Sequence, residues 1–191
     1  VVVRNEIEYT FDVSDLVWPV EEVVLPSIDE VRDLAVDEDV EFVGVVTGFT
    51  DYSTEYSNYD KVFVEDSTGA IVVYRAAFPA DLKIGDKFLI VGKLGQFNGL
   101  IQIAQGATVT LIDSDNDLIL PVEVTNVAEI NEDFQAKRID LEGTVVSVTS
   151  NGQTMVVKVG ENEITVRSNS SSNAHIVNAH LLTAVIGQEV N

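Results

Sequence analysis

The stretch Glu65-Asp66-Ser67-Thr68-Gly69 sets two adjacent carboxylates beside two hydroxyls. A carboxylate within reach of a hydroxyl can act on it as a general base, so catalysis is the first chemistry these residues raise. The flanks argue for a plainer role. Val62-Phe63-Val64 and Ala70-Ile71-Val72-Val73-Tyr74 are β-branched and aromatic runs, and the residues between them suit the turn of a β-hairpin. Asp66 then caps the turn with its side chain, Gly69 takes a positive φ, and Glu65 is a solvent-facing strand residue.

The other candidate chemistry is thin. Asp113-Ser114-Asp115-Asn116-Asp117 has the alternate-carboxylate start of a calcium loop. The pattern then fails, with Leu118 where the loop needs glycine and Val124 where it needs glutamate. The stretch reads as a polar joint, and Asp113, Asp115 and Asp117 are only residual metal candidates. His175 and His180 are five apart, not at the helical i, i+4 spacing of paired ligands, and read as surface or loop residues. No cysteine exists for a disulfide, a thiolate site or a nucleophile. No nucleophile elbow, phosphate loop or dinucleotide fingerprint is present. The chain therefore reads as a non-enzyme with no cofactor.

Charge narrows the partners. With 32 Asp plus Glu against 11 Lys plus Arg, the net charge is −21, a field that repels polyphosphate at long range. Nucleic acid is disfavoured, though a local basic patch could still meet it. Hydrophobic residues make up 46% of the 191, enough for a packed core, and no run of about 18 apolar residues predicts a membrane span. No signal peptide is visible, and a chain that starts at Val1 reads as a piece of something longer.

Positioning elements emerge as a repeat. Ser27-Ile28-Asp29-Glu30 predicts a capped helix start, followed by a strand from Val40 through Gly44 to Phe49. Later, Thr125 to Ile130 predicts a second short helix, followed by Ile139 to Val148 around Gly143. Ile84-Gly85 recurs as Ile186-Gly187. The predicted units are a strand-like segment at 1–25, a first module at 26–115 and a second at 120–191. In the first, strands are predicted at about 40–51, 61–66, 70–77, 86–94 and 100–112, with an irregular or helical crossing at 78–82. Asn98-Gly99 predicts a hairpin between the last two. Five short antiparallel strands with mid-strand glycines suggest a small closed barrel.

The stretches EFVGVVTGF, KVFVEDSTGAIVVY and DLKIGDKFLIVGKLGQFNGLIQI resemble a bacterial OB-fold module, over about 75 residues of the first unit. The shared features are the mid-strand glycine, the Asp-x-Thr-Gly turn, the Leu-x-x-Gly-Asp approach and the Phe-Asn-Gly-x-x-Gln-Ile strand. Such modules accompany secreted nucleases and occur in tandem in surface lipoproteins of gut Bacteroidetes. The fold implied is mostly β: two tandem five-stranded OB-like Greek-key barrels, each preceded by a short helix, the second incomplete. The location implied is exported, at a bacterial cell surface or in the periplasm, with a lipid anchor in the full-length protein. Val2 to Val13 alternates like a strand and either ends a previous unit or covers an open sheet edge, where a second copy could also pair.

OB barrels bind oligonucleotides or oligosaccharides on strands two and three, between the one–two and four–five loops. In this chain those places hold Tyr52, Tyr56, Tyr59, Phe63 or Val64, Tyr74, Arg75, Phe97 and Asn98, with Lys61 and Lys93 as nearby cations. Aromatic rings can stack bases, but Asp51, Glu55 and Asp60 in the same loop suit a sugar better, since its hydroxyls donate to carboxylates. No tyrosine occurs from 120 onward, and the second hairpin turns at Gly160-Glu161-Asn162-Glu163 without the Asp-Ser-Thr-Gly sequence. The expected function is a non-catalytic binding or spacer module for a protein or glycan partner. The alternative is a single-stranded nucleic-acid accessory module of a secreted nuclease.

Overall fold

This computed structural model describes residues 24–51, 59–149, 154–167 and 189–190. The strand expected at 2–13 therefore lies outside the described residues. The first element is α1 (Ile28–Arg32). Its start is the predicted capping box: the Glu30 carboxylate accepts from the Ser27 amide at 2.8 Å, and Ser27 Oγ accepts from the Glu30 amide at 3.4 Å. Those bonds from Ser27, the backbone one above all, hold the Glu30 carboxyl below the ordinary range. Ile28 and Val31, one turn apart, are fully buried beneath the sheet that follows.

That sheet closes on itself. Its strands are β1 (Asp39–Asp51), β2 (Tyr59–Glu65), β3 (Ala70–Tyr74), β4 (Lys87–Phe97), β5 (Leu100–Ile103) and β6 (Thr108–Asp113). The N-terminal half of β1 pairs with β4 and its C-terminal half with β2, with a bulge between Val46 and Gly48. From β2 the ladder continues to β3. β3 runs parallel to β5, with Val72 opposite Gln102, and β5 returns to β4. The ring β1-β2-β3-β5-β4 is the strand order of an OB fold. The fifth strand expected at 100–112 is two strands, broken by a turn where Gly106 has φ +95°.

Inward positions alternate as a pleated strand requires. Val62 and Val64 face Val73 and Ile71, and Phe42, Phe88 and Ile90 complete the centre, all at most 1% exposed. Burying one such side chain contributes about 1.5–3 kcal/mol. Phe78 meets Phe88 edge-on at 5.0 Å, so the irregular crossing between β3 and β4 closes the barrel with Phe78 and Leu82. Gly44 lies where a Cβ would come 3.0 Å from Val64 Cβ, which explains the mid-strand glycine by close approach of two strands.

In the second unit, a two-stranded parallel pair joins β7 (Val122–Glu123) and β8 (Ile139–Asp140). The short helix expected from Thr125 is a single 3-10 turn, Val127–Glu129, capped by Asn126. A sheet then forms in the order β11-β10-β9-β12 from β9 (Gly143–Val148), β10 (Thr154–Val159), β11 (Asn162–Arg167) and β12 (Glu189–Val190). Gly143 and Thr144 pair with Val190 and Glu189 as Gly44 and Val45 pair with Phe88 and Lys87. A second, incomplete barrel was expected; among the described residues this sheet is open, and no strand pairs with the outer edge of β11.

Candidate ligand face

The Asp66–Gly69 turn is a clamp on α1. Asp66 Oδ2 accepts from the Ile28 amide at 2.7 Å. Its Oδ1 accepts from the Thr68 amide at 2.8 Å, the Thr68 hydroxyl at 2.6 Å and the Gly69 amide at 2.9 Å. Thr68 Oγ1 in turn accepts from the Asp29 amide at 3.2 Å. Burial pushes the Asp66 carboxyl up, but these bonds, led by the Thr68 hydroxyl, outweigh it and hold the group below the usual carboxylate range. Both oxygens of Asp66 are committed to these donors. Gly69 was expected at positive φ and is not among the positive-φ residues; a Cβ there would sit 2.0 Å from Oδ1 of the exposed Asp29, whose side chain would have to swing aside. Glu65, expected to face solvent, is 6% exposed; its Oε1 accepts from the Arg138 amide at 3.0 Å and lies 3.7 Å from Arg138 Nε.

The outward positions of β2 and β3 are Lys61 opposite Tyr74, Phe63 opposite Val72, and Glu65 opposite Ala70. This face has two unlike ends. At the end bordering the β1–β2 loop, the Arg75 guanidinium carbon lies 4.9 Å from the centre of the Tyr74 ring. Arg75 Nε reaches Asp60 Oδ1 at 2.9 Å, and Lys61 Nζ reaches Asp60 Oδ2 at 2.8 Å. Burial pushes the Asp60 carboxyl up, and the hydrogen bonds from Lys61 and Arg75 bring it below its ordinary value. Arg75 has φ +47°, an uncommon backbone for a side chain this large, fixed by its amide donating to the Asp60 carbonyl at 3.1 Å. The result is a ring, two cations and one carboxylate on a partly exposed surface.

At the other end, beside the Asn98-Gly99 hairpin, residues 132–138 lie along the face. Gln135 Oε1 accepts from the Ile101 amide at 3.1 Å, and Gln135 Nε2 donates to the Gly99 carbonyl at 2.9 Å. Arg32 ties Ala70 to the same segment, donating to the Ala70 carbonyl at 3.0 Å and the Glu132 carbonyl at 2.9 Å. Sequence reasoning missed these partners, because nothing in the local pattern of 132–138 announces a contact with strands so distant in the chain.

The remaining expected residues scatter. Tyr59 is 6% exposed, packs edge-on against Phe49 at 4.9 Å and donates to the Ala80 carbonyl at 3.0 Å. It belongs to the core and is no stacking platform. Lys93 pairs with Asp39 at 2.8 Å on the β1–β4 ladder, away from Lys61 and Arg75; that pairing raises its pKa. Phe97 is 65% exposed and Asn98 is exposed at the hairpin tip, where Asn98 and Gly99 both have positive φ as a two-residue turn requires. Tyr52, Tyr56, His175 and His180 lie outside the described residues. The 113–117 joint is pinned by Asn116, whose amide and side chain both donate to the Gly85 carbonyl at 3.0 Å. Among the described residues no group of three acidic or histidine side chains, Asp113, Asp115 and Asp117 included, could hold a metal ion.

A groove of about 620 Å³ also lies between α1, β1 and residues 117–119, walled by Pro26, Val43, Val45 and Leu118. Three of the carboxylates lining it are already engaged: Glu30 in the capping box, Asp66 in the clamp and Glu65 on Arg138; Asp117 lines it as well. The ring and cations at Tyr74 are the better-equipped surface.

No protein-family model matches the chain, and no curated protein matches it. Among solved structures, a murine DNA-binding protein bound with double-stranded DNA is similar at 18% identity and a TM-score of 0.38, over 47% of this chain and 49% of that one. This chain thus spans about half the length of that protein. An OB domain from Methanosarcina mazei is similar at 16% identity and a TM-score of 0.36, over 44% of this chain and 81% of that domain. A chain from structural work on the abrogation of activation of pro-inflammatory cytokines is similar at 17% identity and a TM-score of 0.40, over 72% and 79%. These likenesses are weak, and the OB topology rests on the closed ring of strand pairings.

Proposed function

We propose that this chain is a non-catalytic binding module that takes its ligand at the open end of the β2–β3 face, on Tyr74, Arg75, Lys61 and Asp60. The observation that carries the reading is the guanidinium of Arg75 over the Tyr74 ring, 4.9 Å from its centre, on the strands that bind ligands in OB barrels. A glycan or a protein surface fits this set first. A sugar ring packs on an aromatic face, and Asp60 accepts from hydroxyls while the two cations donate. The net charge of −21 and the pairing of both cations with Asp60 support the same preference.

Single-stranded nucleic acid is the second reading. It is favoured by Arg75 over the Tyr74 ring and Lys61 opposite Tyr74 in the strand register, since a base can stack where its phosphate is neutralised. The two readings separate on a glycan array probed with the full chain at 150 mM salt, and on fluorescent oligothymidine at 10 and 150 mM salt. Glycan retention supports the first. Oligothymidine retained at 10 mM and released at 150 mM supports the second. Retention of neither removes the glycan and nucleic-acid readings and leaves a protein surface as the partner. We also propose that the second unit follows the OB plan of the first. An exported bacterial setting, at the cell surface or in the periplasm, rests on the resemblance of the first module alone.

A further inference from the structure

We propose that the closed end of this face is a groove for a short turn-forming peptide, which the chain fills in cis with its own residues 132–138, a 3-10 turn at Glu132–Phe134 and the loop that follows it. By strand register Ala70, Val72 and Gln102 point out of the barrel, and none belongs to its core. Yet Ala70 and Val72 are fully buried and Gln102 is 9% exposed. The hydrogen bonds identify what lies there. The segment is held as a docked peptide would be: Gln135 offers its carboxamide as both acceptor and donor to the backbone of Ile101 and Gly99, Glu132 is held by its carbonyl, and Arg138 sets a cation against Glu65.

Two further observations mark the cis occupant as displaceable. Ala136 has φ +64°, a conformation alanine rarely adopts on its own, so the contacts at either side impose it. Arg138 Nε is buried without a hydrogen-bond partner, 3.7 Å from Glu65 Oε1. An occupant that seated its guanidinium squarely on Glu65 would satisfy this donor and fit better. The partner chemistry is therefore a turn-forming peptide carrying a carboxamide and, three residues later, a cation. Its binding in trans would lift the second unit from the barrel.

The proposal rests on the preceding reading only for the identity of the face; neither glycan nor oligothymidine enters its test. The probe is a fluorescein-labelled synthetic peptide of residues 131–139, titrated into the full chain by anisotropy. In the wild type the cis segment competes at an effective concentration of about millimolar, so the peptide binds weakly. In the full chain carrying Gln135→Ala and Arg138→Ala, competition falls, and the peptide binds about tenfold tighter or more. A peptide with both residues changed to alanine binds neither chain. Equal binding to wild type and variant, or no binding to the variant, overturns the proposal. Amide exchange of β1 and β4 verifies that the barrel remains folded; should the double variant fail to fold, Gln135→Ala alone is read by the same two outcomes.

Discussion

Replacing Asp66 by alanine tests whether the Asp-Ser-Thr-Gly turn is a structural clamp. The substitution leaves the part-buried Ile28 amide, the first donor of α1, without its acceptor at 2.7 Å. An orphaned buried donor costs about 1–3 kcal/mol. The amides of Thr68 and Gly69 and the Thr68 hydroxyl also lose their common acceptor, but water can replace it at this exposed turn, adding about 1 kcal/mol between them. The expected loss is about 2–4 kcal/mol, or roughly 10–20 °C in Tm for a barrel of this size. Asp66→Asn keeps the shape but turns a donor toward donors, and falls between. The pH dependence has a definite sign. Because the folded pKa is depressed, Asp66 stabilises the fold fully above the ordinary aspartate range, and this contribution disappears as pH falls through the lowered folded value. Thermal unfolding of wild type and Asp66→Ala from pH 7 down to pH 2 should therefore converge at the acid end. An alanine variant within ~0.5 kcal/mol of wild type at pH 7 would refute the clamp.

Gly143→Ala puts a Cβ 2.5 Å from the Lys158 carbonyl and 2.6 Å from Val157 Cγ1, and should cost about 1–3 kcal/mol, read as faster amide exchange in β9 and β10 but not in β1–β6. Tyr59→Phe removes the bond to the Ala80 carbonyl and keeps the ring; a loss of about 1 kcal/mol in urea unfolding with ligand binding intact is expected from a core residue. Lys93→Ala breaks an exposed pair with Asp39 and should change neither the melting temperature nor binding.

The capping box of α1, the hairpin strands and the Asn98-Gly99 turn were legible in the sequence because each is written in local patterns: cap residues, alternation, a dipeptide that tolerates positive φ. Lys61 and Tyr74 could be paired from sequence because a hairpin register fixes who faces whom. Tyr59 misled because spacing does not tell a ring aimed at the core from one aimed at solvent when a strand begins beside a loop. Glu65 misled for a related reason. Its position is outward, as the alternation says, but outward at this end of β2 means under residues 132–138, and only the fold of the whole chain shows that cover. Gly69 misled as well: the positive φ that the turn pattern suggests is absent, and its near neighbour, the Asp29 side chain, belongs to α1, which no local pattern shows.

The central claim is that the ligand meets the barrel at the Tyr74 end of β2 and β3. It is tested most directly by a chemical-shift footprint of whichever probe is retained, glycan or oligothymidine, on the isotopically labelled full chain. The account predicts shifts at Lys61, Phe63, Tyr74 and Arg75, none at residues 66–69, and loss of binding in a Tyr74→Ala chain that keeps its wild-type melting temperature. A footprint on the groove between α1 and β1, or undiminished binding by Tyr74→Ala, would contradict it.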